Sequence, residues 1–195
     1  MNETNQADRF APLFAELDRR LAGEVPVRLA IEGGSASGKT TLGKILAERY
    51  DCTVFHMDDF FLRSEQRTAA RFAEPGGNVD RERFLAEVLL PLRRGEKVFY
   101  RRFDCASMQL QNAVEIAPKK LVVAEGAYSM HPDLSPYYDL SVFLDISPEL
   151  QRERIFRRNT PEKAKRFFGE WIPMEQAYFA AFDIPAKCTL RLPIL

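Results

Sequence analysis

The sequence predicts an α/β fold in which helices cover both faces of a parallel sheet. Short, mainly apolar runs recur along the chain, at 29–31, 53–57, 121–124 and 140–144. Segments with apolar residues at helical spacing separate these runs. Such strands are typical of parallel sheets, because helices bury both faces of the sheet. We expect the polar residues that follow the runs to meet at the carboxyl edge of the sheet, where such folds bind ligands.

The first element is a helix. Over residues 8–22, apolar residues repeat at helical spacing and charged residues occupy the other face. Gly23 ends this helix, and we assign the whole segment 1–24 to it. We interpret the helix as packing on the sheet, with binding of a partner protein as the alternative.

The later elements follow from caps and helix breakers. Asp80 is placed to cap a helix that stops near Pro91, after a polar loop or lid at residues 63–79. Ser147 precedes Pro148 and an acidic residue, which is the order typical of a helix start. The remaining predictions are a helix that includes residues 42–50, an extended segment at 98–103, a polar stretch up to 118, helices over 161–182 and a last strand at 188–192.

A glycine-rich motif lies between the first strand and its helix. Gly33, four further residues and then Gly38-Lys39-Thr40 give the Walker A spacing in the context that the motif requires. Backbone N–H groups of such a loop bind phosphate oxygens, aided by the helix dipole. We predict that Lys39 binds the β- and γ-phosphates and that the Thr40 hydroxyl binds Mg²⁺. The predicted nucleotide-binding residues are Gly33, Gly34, Ser35, Ala36, Ser37, Gly38, Lys39, Thr40 and Thr41. The expected cofactors are therefore ATP and Mg²⁺.

Acidic residues follow two further strands. Asp58 is placed to orient or deprotonate an acceptor hydroxyl, and Asp59 beside it is a weaker candidate for the Mg²⁺ shell. Glu125 follows the most apolar strand and is predicted to act on Mg²⁺ directly or through water. His56 and His131 show no partner pattern, so we interpret both as structural.

An arginine-rich helix follows the strand at 140–144. Arg154 and Arg158 are four residues apart and share a helix face, which suits closure over phosphates. We predict a lid at residues 154–168 that closes together with residues 63–79 and excludes water. Solvated arginines on a helix surface are the alternative interpretation.

Composition limits the class of protein. Lys+Arg and Asp+Glu both total 28, and this balance argues against a general nucleic-acid binder. The three cysteines are widely spaced, so neither a disulfide framework nor a zinc site is predicted. No apolar run approaches the length of a membrane span, and residues 1–8 do not resemble a signal peptide. We expect one cytoplasmic domain over residues 1–195, with no membrane or nucleic-acid partner and with self-association left open.

In their order, these motifs resemble the uridine kinase and phosphoribulokinase-type family of P-loop kinases. The resemblance extends from Val27 to about Asn159. The segments that carry it are Gly33–Thr41, Asp58–Phe61, Asn78–Asp80, Phe103-Asp104 and Val123–Ala127. The combination is more specific than the glycine-rich loop alone. It implies a nucleoside-kinase-like P-loop NTPase fold, with a five-stranded parallel sheet, flanking helices and a small lid.

The resemblance also implies roles for single residues. Asp58 matches the catalytic base that acts on a sugar primary hydroxyl, and Asp80 matches an aspartate that hydrogen-bonds ribose hydroxyls besides capping its helix. Arg154 and Arg158 match lid arginines that stabilise the transferring phosphate, and we group them with Lys39 as catalytic residues. The implied acceptor-binding residues are Asp58, Phe61, Asp80, Phe103 and Met108.

The sequence departs from that family where uridine and cytidine kinases recognise the base. Those enzymes use a tyrosine, a phenylalanine and a histidine, whereas this chain has Phe103, Cys105 and Met108. Phe61 also stands where tyrosine is usual. The predicted pocket is more apolar and offers fewer donors to a base edge, which weakens discrimination between polar bases. Uridine as the acceptor therefore does not follow from the motifs.

We predict an ATP-dependent kinase that transfers the γ-phosphate to a hydroxyl of a nucleoside, uridine- or cytidine-like, or of a similar small molecule. Within the same class, the alternative acceptors are pantothenate, a pentose phosphate or another riboside. A regulatory module that binds a nucleotide without an acceptor is the alternative from another class, although it gives Asp58 no role. A nucleic-acid kinase has only Arg93-Arg94 and Arg101-Arg102 in its support.

Overall fold

A computed structural model describes the backbone of residues 3–195 and the side chains of residues 9–195. The helices are α1 (Glu3–Leu21), α2 (Lys39–Arg49), α3 (Ala69–Ala73), α4 (Arg81–Phe84), α5 (Leu90–Arg94), α6 (Pro148–Arg158), α7 (Pro161–Arg166), α8 (Ile172–Phe182) and α9 (Ile184–Lys187). The strands are β1 (Val27–Gly33), β2 (Cys52–His56), β3 (Val98–Tyr100), β4 (Phe103–Asp104), β5 (Gln109–Leu110), β6 (Val114–Ile116), β7 (Leu121–Glu125), β8 (Leu140–Ile146) and β9 (Leu190–Ile194). Met1 and Asn2 of the expected segment 1–24 lie outside the described residues.

Five of these strands form one parallel sheet in the order β2-β7-β1-β8-β9. In the central strand, Leu29 is aligned with Val123 of β7 and with Leu140 of β8. The predicted α/β fold with a five-stranded parallel sheet and flanking helices is therefore confirmed. The carboxyl ends of β1, β2 and β7 lie side by side, which brings the segments after them to one edge of the sheet.

Both faces of the sheet are buried, each by a different set of helices. On one face, Leu29 and Ile31 pack against Leu13 and Leu17 of α1 and against α2. On the other face, Ala30 belongs to a core that contains Phe55, Phe84 and Tyr178. Adjacent residues of a strand point to opposite faces, which explains why the central strands are apolar throughout. The N-terminal helix packs on the sheet, as expected, and none of the helices in the described part of the chain is long and apolar enough to cross a membrane.

In the middle of the chain, the structure corrects one expectation and adds detail to another. The helix expected to stop near Pro91 continues to Arg94 and ends at Gly95, whose φ of 71° forms a left-handed cap. A π-helical turn at Leu85–Leu89 precedes Pro91, so the proline stands in the first turn of α5, where its missing N–H is tolerated. The polar stretch up to residue 118 contains three short strands, because β3 pairs with β6 and β4 pairs with β5, both antiparallel. Strands of two or three residues leave no periodic pattern in a sequence.

Candidate active site

The glycine-rich loop connects β1 to α2, in the strand–loop–helix context that the motif requires. Gly33 has a φ of 147° and Gly38 a φ of 103°. A Cβ atom on Gly33 would lie 2.7 Å from the carbonyl oxygen of Leu144, so this position excludes a side chain. Lys39 folds over the loop, and its Nζ donates hydrogen bonds to the carbonyl oxygens of Gly33 at 2.7 Å and Gly34 at 2.9 Å. The loop and its lysine therefore form the compact shape that cradles phosphates in this motif.

Two residues that the sequence does not mark hold Ser35 in this loop. Glu175 of α8 accepts hydrogen bonds from the Ser35 backbone N–H at 2.8 Å and from its hydroxyl at 2.6 Å. Gln151 of α6 donates its amide to the Ser35 carbonyl oxygen at 2.9 Å. Burial raises the pKa of Glu175, whereas the charge of Lys39 and the bonds to Ser35 act in the opposite direction. Glu175 and Gln151 thus fix the loop to two helices of the C-terminal half.

Thr40, Glu125 and His56 form a cluster at the end of β7. The Thr40 hydroxyl donates to Oε1 of Glu125 at 3.1 Å, and Nδ1 of His56 lies 2.5 Å from the same oxygen. That hydrogen bond raises the pKa of His56. A hydroxyl and a carboxylate are oxygen ligands of the kind that Mg²⁺ prefers, so these residues fit the predicted magnesium site. Within residues 9–195, no group of three His, Cys, Asp or Glu side chains forms a metal site, so such an ion would also need phosphate oxygens or water.

Asp58 lies in the 3-10 turn Met57–Phe60 directly after β2, next to this cluster. Its side chain is exposed, yet the surrounding protein atoms raise its pKa; the charge of Lys39 opposes this effect and that of Glu125 adds to it. Asp58 thus lies within the electrostatic influence of the lysine and of the candidate magnesium ligand. The carboxylate of Asp59 lies 3.3 Å from the guanidinium of Arg102, and its charge also raises the pKa of His56. A role of Asp59 in the Mg²⁺ shell stays a prediction.

The other predicted acceptor-binding residues are Phe61, Asp80, Phe103 and Met108. Asp80 is 1% exposed and caps α4, as predicted, by accepting a hydrogen bond from the Arg83 N–H at 3.2 Å. Its second carboxylate oxygen accepts from the Arg83 guanidinium at 3.3 Å, so ribose binding by Asp80 stays a prediction. Phe103 is buried, and the guanidinium carbon of Arg67 lies 6.0 Å from its ring centroid. Phe61 is half-buried. Met108 is 37% exposed, at a turn with a φ of 57°.

A cavity of about 250 Å³ borders the phosphate loop at Ala36, Ser37 and Gly38. Arg154 of α6 donates a hydrogen bond to the Ala36 carbonyl oxygen at 3.2 Å, and Arg158 lines the same cavity. Burial lowers the pKa of Arg154, and the positive charges of Arg9 and other arginines lower it further. The predicted lid at 154–168 spans most of α6–α7 and packs through Phe167 near Ala36. Its closure stays a prediction. The structure brings both predicted arginines to the loop.

Glu32 is a further buried carboxyl group near the loop, and the sequence analysis does not mark it as a site residue. It is 0% exposed at the end of β1 and accepts hydrogen bonds from the N–H groups of Gly33 at 2.9 Å and Met130 at 3.0 Å. The Tyr178 hydroxyl donates a third bond at 3.1 Å. Burial raises the pKa of Glu32 from 4.5 to about 7, against the effect of these donors. Glu32 therefore changes its charge close to neutral pH.

This pKa predicts a pH-dependent stability. Because folded Glu32 holds its proton more tightly than the unfolded chain does, the free energy of unfolding falls as pH rises from about 4.5 to about 7 and then levels off. The loss is about 3 kcal/mol. The variant Glu32→Gln lacks the titrating group. The difference in unfolding free energy between wild type and variant, measured with urea across this range, should fall by that amount as pH rises. A constant difference would contradict the assignment.

Comparisons with known proteins identify the family of this chain. A family model described as "Shikimate kinase" matches residues 35–167, which is more than half of the chain. A uridine kinase from Clostridium perfringens is 22% identical over 150 residues, covering 72% of this chain and 71% of that protein. A uridine kinase from Chloroflexus aurantiacus is 26% identical over 150 residues, with the same coverage. The resemblance to uridine kinases is thus confirmed at low identity.

Two solved structures share the fold. A possible uridine kinase from Bacillus stearothermophilus superposes with a TM-score of 0.73 at 18% identity, covering 96% of this chain and 99% of that chain. A putative fructose transport system kinase from Silicibacter sp. TM1040 gives a TM-score of 0.68 at 22% identity, covering 88% and 91%. The kinase family that the sequence comparisons identify implies the use of ATP. The descriptions of the two solved structures name different acceptors. The chain belongs to the P-loop small-molecule kinase family that the shikimate kinase model represents, and it is uridine kinase-like within that family.

Proposed function

We propose that this chain is an ATP- and Mg²⁺-dependent kinase that transfers the γ-phosphate to a hydroxyl of a nucleoside or a similar small molecule. The observation that carries the proposal is the position of Asp58, a carboxylate with a raised pKa, beside Glu125 and the lysine of the phosphate loop. A nucleotide-binding module without an acceptor has no use for a base at this place. We further propose that the chain acts as one domain, with residues 154–168 as its lid.

Each part of the site has one task in this mechanism. The loop N–H groups and Lys39 hold the phosphates, and Asp58 accepts the proton of the acceptor hydroxyl as its oxygen attacks. Arg154 and Arg158 stabilise the charge that spreads over the transferring phosphoryl group. Thr40 and Glu125 would hold Mg²⁺, which neutralises charge on the phosphate oxygens when bound. Catalysis is then mainly positioning and electrostatic stabilisation.

The residues of the predicted acceptor site favour a nucleoside or another uncharged alcohol. One observation favours an anionic acceptor instead. Phe61 and Phe103 offer apolar surface for a base or a sugar face. Arg67 lies over Phe103, its Nε donates a hydrogen bond to the Leu62 carbonyl oxygen at 3.0 Å, and it forms no ion pair among the side chains of residues 9–195. A guanidinium without a carboxylate partner beside Phe103 suits a carboxylate or phosphate. Pantothenate or a pentose phosphate is therefore the second candidate for the acceptor.

A panel of acceptors tests the proposal. ADP release with ATP and Mg²⁺ is measured with nucleosides, pantothenate and sugar phosphates, and Arg67→Gln is assayed beside the wild type. Release that rises with a nucleoside and is unchanged in Arg67→Gln supports the leading candidate. Release that rises only with an anionic acceptor and falls in Arg67→Gln supports the second. Release that no acceptor changes would contradict a kinase and leave a regulatory ATPase.

A further inference from the structure

We infer that Arg9, on the N-terminal helix, is a further nucleotide-binding residue that contacts the α-phosphate and makes α1 one wall of the nucleotide site. The inference rests on the proposed function, because it concerns the nucleotide that the phosphate loop binds. From the sequence, α1 is expected to pack on the sheet, with binding of a partner protein as the alternative. Its apolar face does pack: Leu13 and Leu17 are 0% exposed. Because these two side chains hold the helix against the core, the position of Arg9, one turn before Leu13, is also fixed.

The cavity beside the loop combines four parts of the chain. Arg9 and Phe10 come from α1, and Ile194 comes from β9. The loop and the start of α2 contribute Ala36, Ser37, Gly38 and Thr41, and α6 contributes Arg154, Arg157 and Arg158. Phe10 and Ile194 are each about 95% buried, so they form an apolar floor on which a ribose or base can rest. The arginines form the walls.

The charge of this cavity suits an anion. Four arginines line it, and among the side chains of residues 9–195 no carboxylate does. Among the side chains of residues 9–195, the only ion pair that these four arginines form is Arg157 with Glu153, at 3.9 Å. Like charges held together in this way repel one another, and an anionic ligand removes that cost. Ser37 adds a donor, since its hydroxyl is buried and has no hydrogen-bond partner in the described part of the chain.

The position of the cavity along the loop identifies which part of the nucleotide it receives. Thr40 contacts Glu125, and the charge of Lys39 acts on Asp58, so the γ-phosphate end points to that side. The cavity is lined by Gly38 and Thr41 but by none of those four residues. The α-phosphate and the nucleoside therefore lie on the cavity side, which is where Arg9 stands.

This placement separates Arg9 from the lid arginines in kinetic terms. Arg9 is fixed on α1, whereas Arg154 and Arg158, which line the same cavity, belong to the predicted lid and would reach the transferring phosphoryl group when that lid closes. A contact of Arg9 with the α-phosphate, which is not transferred, stabilises the bound nucleotide equally in the ground state and in the transition state. Its removal should raise KM for ATP and leave kcat nearly unchanged. Removal of an arginine that acts on the transferring phosphoryl group should instead lower kcat.

The experiment compares Arg9→Gln with Arg9→Lys and with Arg19→Ala, an exposed arginine of the same helix that pairs with Glu16. Arg9→Gln keeps the three-carbon stem of the side chain and a polar end, and removes the charge. Calorimetry should show that Arg9→Gln weakens the binding of ADP and GDP by the same factor, about tenfold, because the α-phosphate is common to both. Arg9→Lys should lose less, and Arg19→Ala should lose nothing. Thermal unfolding checks that all three variants are folded.

Three results would overturn the inference. Unchanged ADP binding in Arg9→Gln, with a wild type that binds ADP, would show that Arg9 does not contact the nucleotide and would leave the proposed function standing. Weaker binding of only one of the two nucleotides would show a contact with the base rather than with the phosphate. Absence of nucleotide binding by the wild type would overturn the proposed function and this inference together.

Discussion

Asp58→Asn should lower kcat by about 10²- to 10⁴-fold, which is the usual contribution of a general base. The amide cannot accept the proton of the acceptor hydroxyl, while the phosphate loop is left intact. The Kd for ATP should therefore stay within about threefold of the wild-type value, because Asp58 acts on the acceptor and not on the nucleotide. Turnover with the best acceptor of the panel and calorimetric binding of ATP measure the two quantities separately.

Asp59→Asn is the matched control for this prediction. The two carboxylates are adjacent in sequence, but that of Asp59 faces Arg102. Its removal should change kcat by less than about tenfold, which is small beside the loss of a general base. Near wild-type turnover in Asp58→Asn, with full turnover in Asp59→Asn, would rule out a catalytic base at position 58. Equal losses in both variants would instead indicate that the whole turn has moved.

Gly126→Ala should destabilise the protein by about 2–5 kcal/mol, through strain and overpacking together. Gly126 has a φ of 145°, and a Cβ atom there would lie only 2.5 Å from Cβ of Met57. Met57 precedes Asp58, so relief of this clash displaces the turn that carries the base. A displacement of about 1 Å can lower kcat by about 10²-fold. Urea unfolding and turnover of the folded variant measure the two effects.

Gly169→Ala provides the comparison for that variant. Gly169 is exposed in the helical turn Phe167–Trp171, and nothing lies within 4 Å of the place where its Cβ would stand. Alanine there should stabilise the protein by about 0.5–1 kcal/mol, since it restricts the unfolded chain and favours the helix. If Gly126→Ala does not destabilise the protein, the close contact with Met57 is not the reason for a glycine at position 126.

The sequence alone predicts the parts of this site that depend on local order. The loop from Gly33 to Thr41 is a contiguous motif, and its flanking strand and helix are strongly patterned. Asp58 and Glu125 can be predicted as site residues because each stands at the end of a strand, and the carboxyl ends of parallel strands meet at one edge of the sheet. The family resemblance also implied the five-stranded sheet, which the structure contains. Local patterns and a topological rule are sufficient for these features.

The parts that the sequence did not predict depend on which strands and helices become neighbours. His56 meets Glu125 because β2 and β7 are adjacent in register, although the two residues are 69 positions apart. Glu175 reaches Ser35 across 140 positions. Glu32 reaches Tyr178 across 146. No local pattern marks such contacts, since a polar residue in a helix is ordinarily interpreted as exposed.

The contacts of Ser35 have a consequence for the synthesis of the chain. A ribosome makes the N-terminal part first, at about 5–20 residues per second. The loop leaves the ribosome early, but Gln151 and Glu175, which hold Ser35, are translated 116 and 140 residues later. A nascent chain that stops before α8 should therefore fail to bind a nucleotide tightly, even though its whole Walker A motif is present. Nucleotide capture by stalled chains of increasing length should rise only when α8 has emerged. The affinity of the loop therefore depends on whether the chain has been synthesised as far as α8.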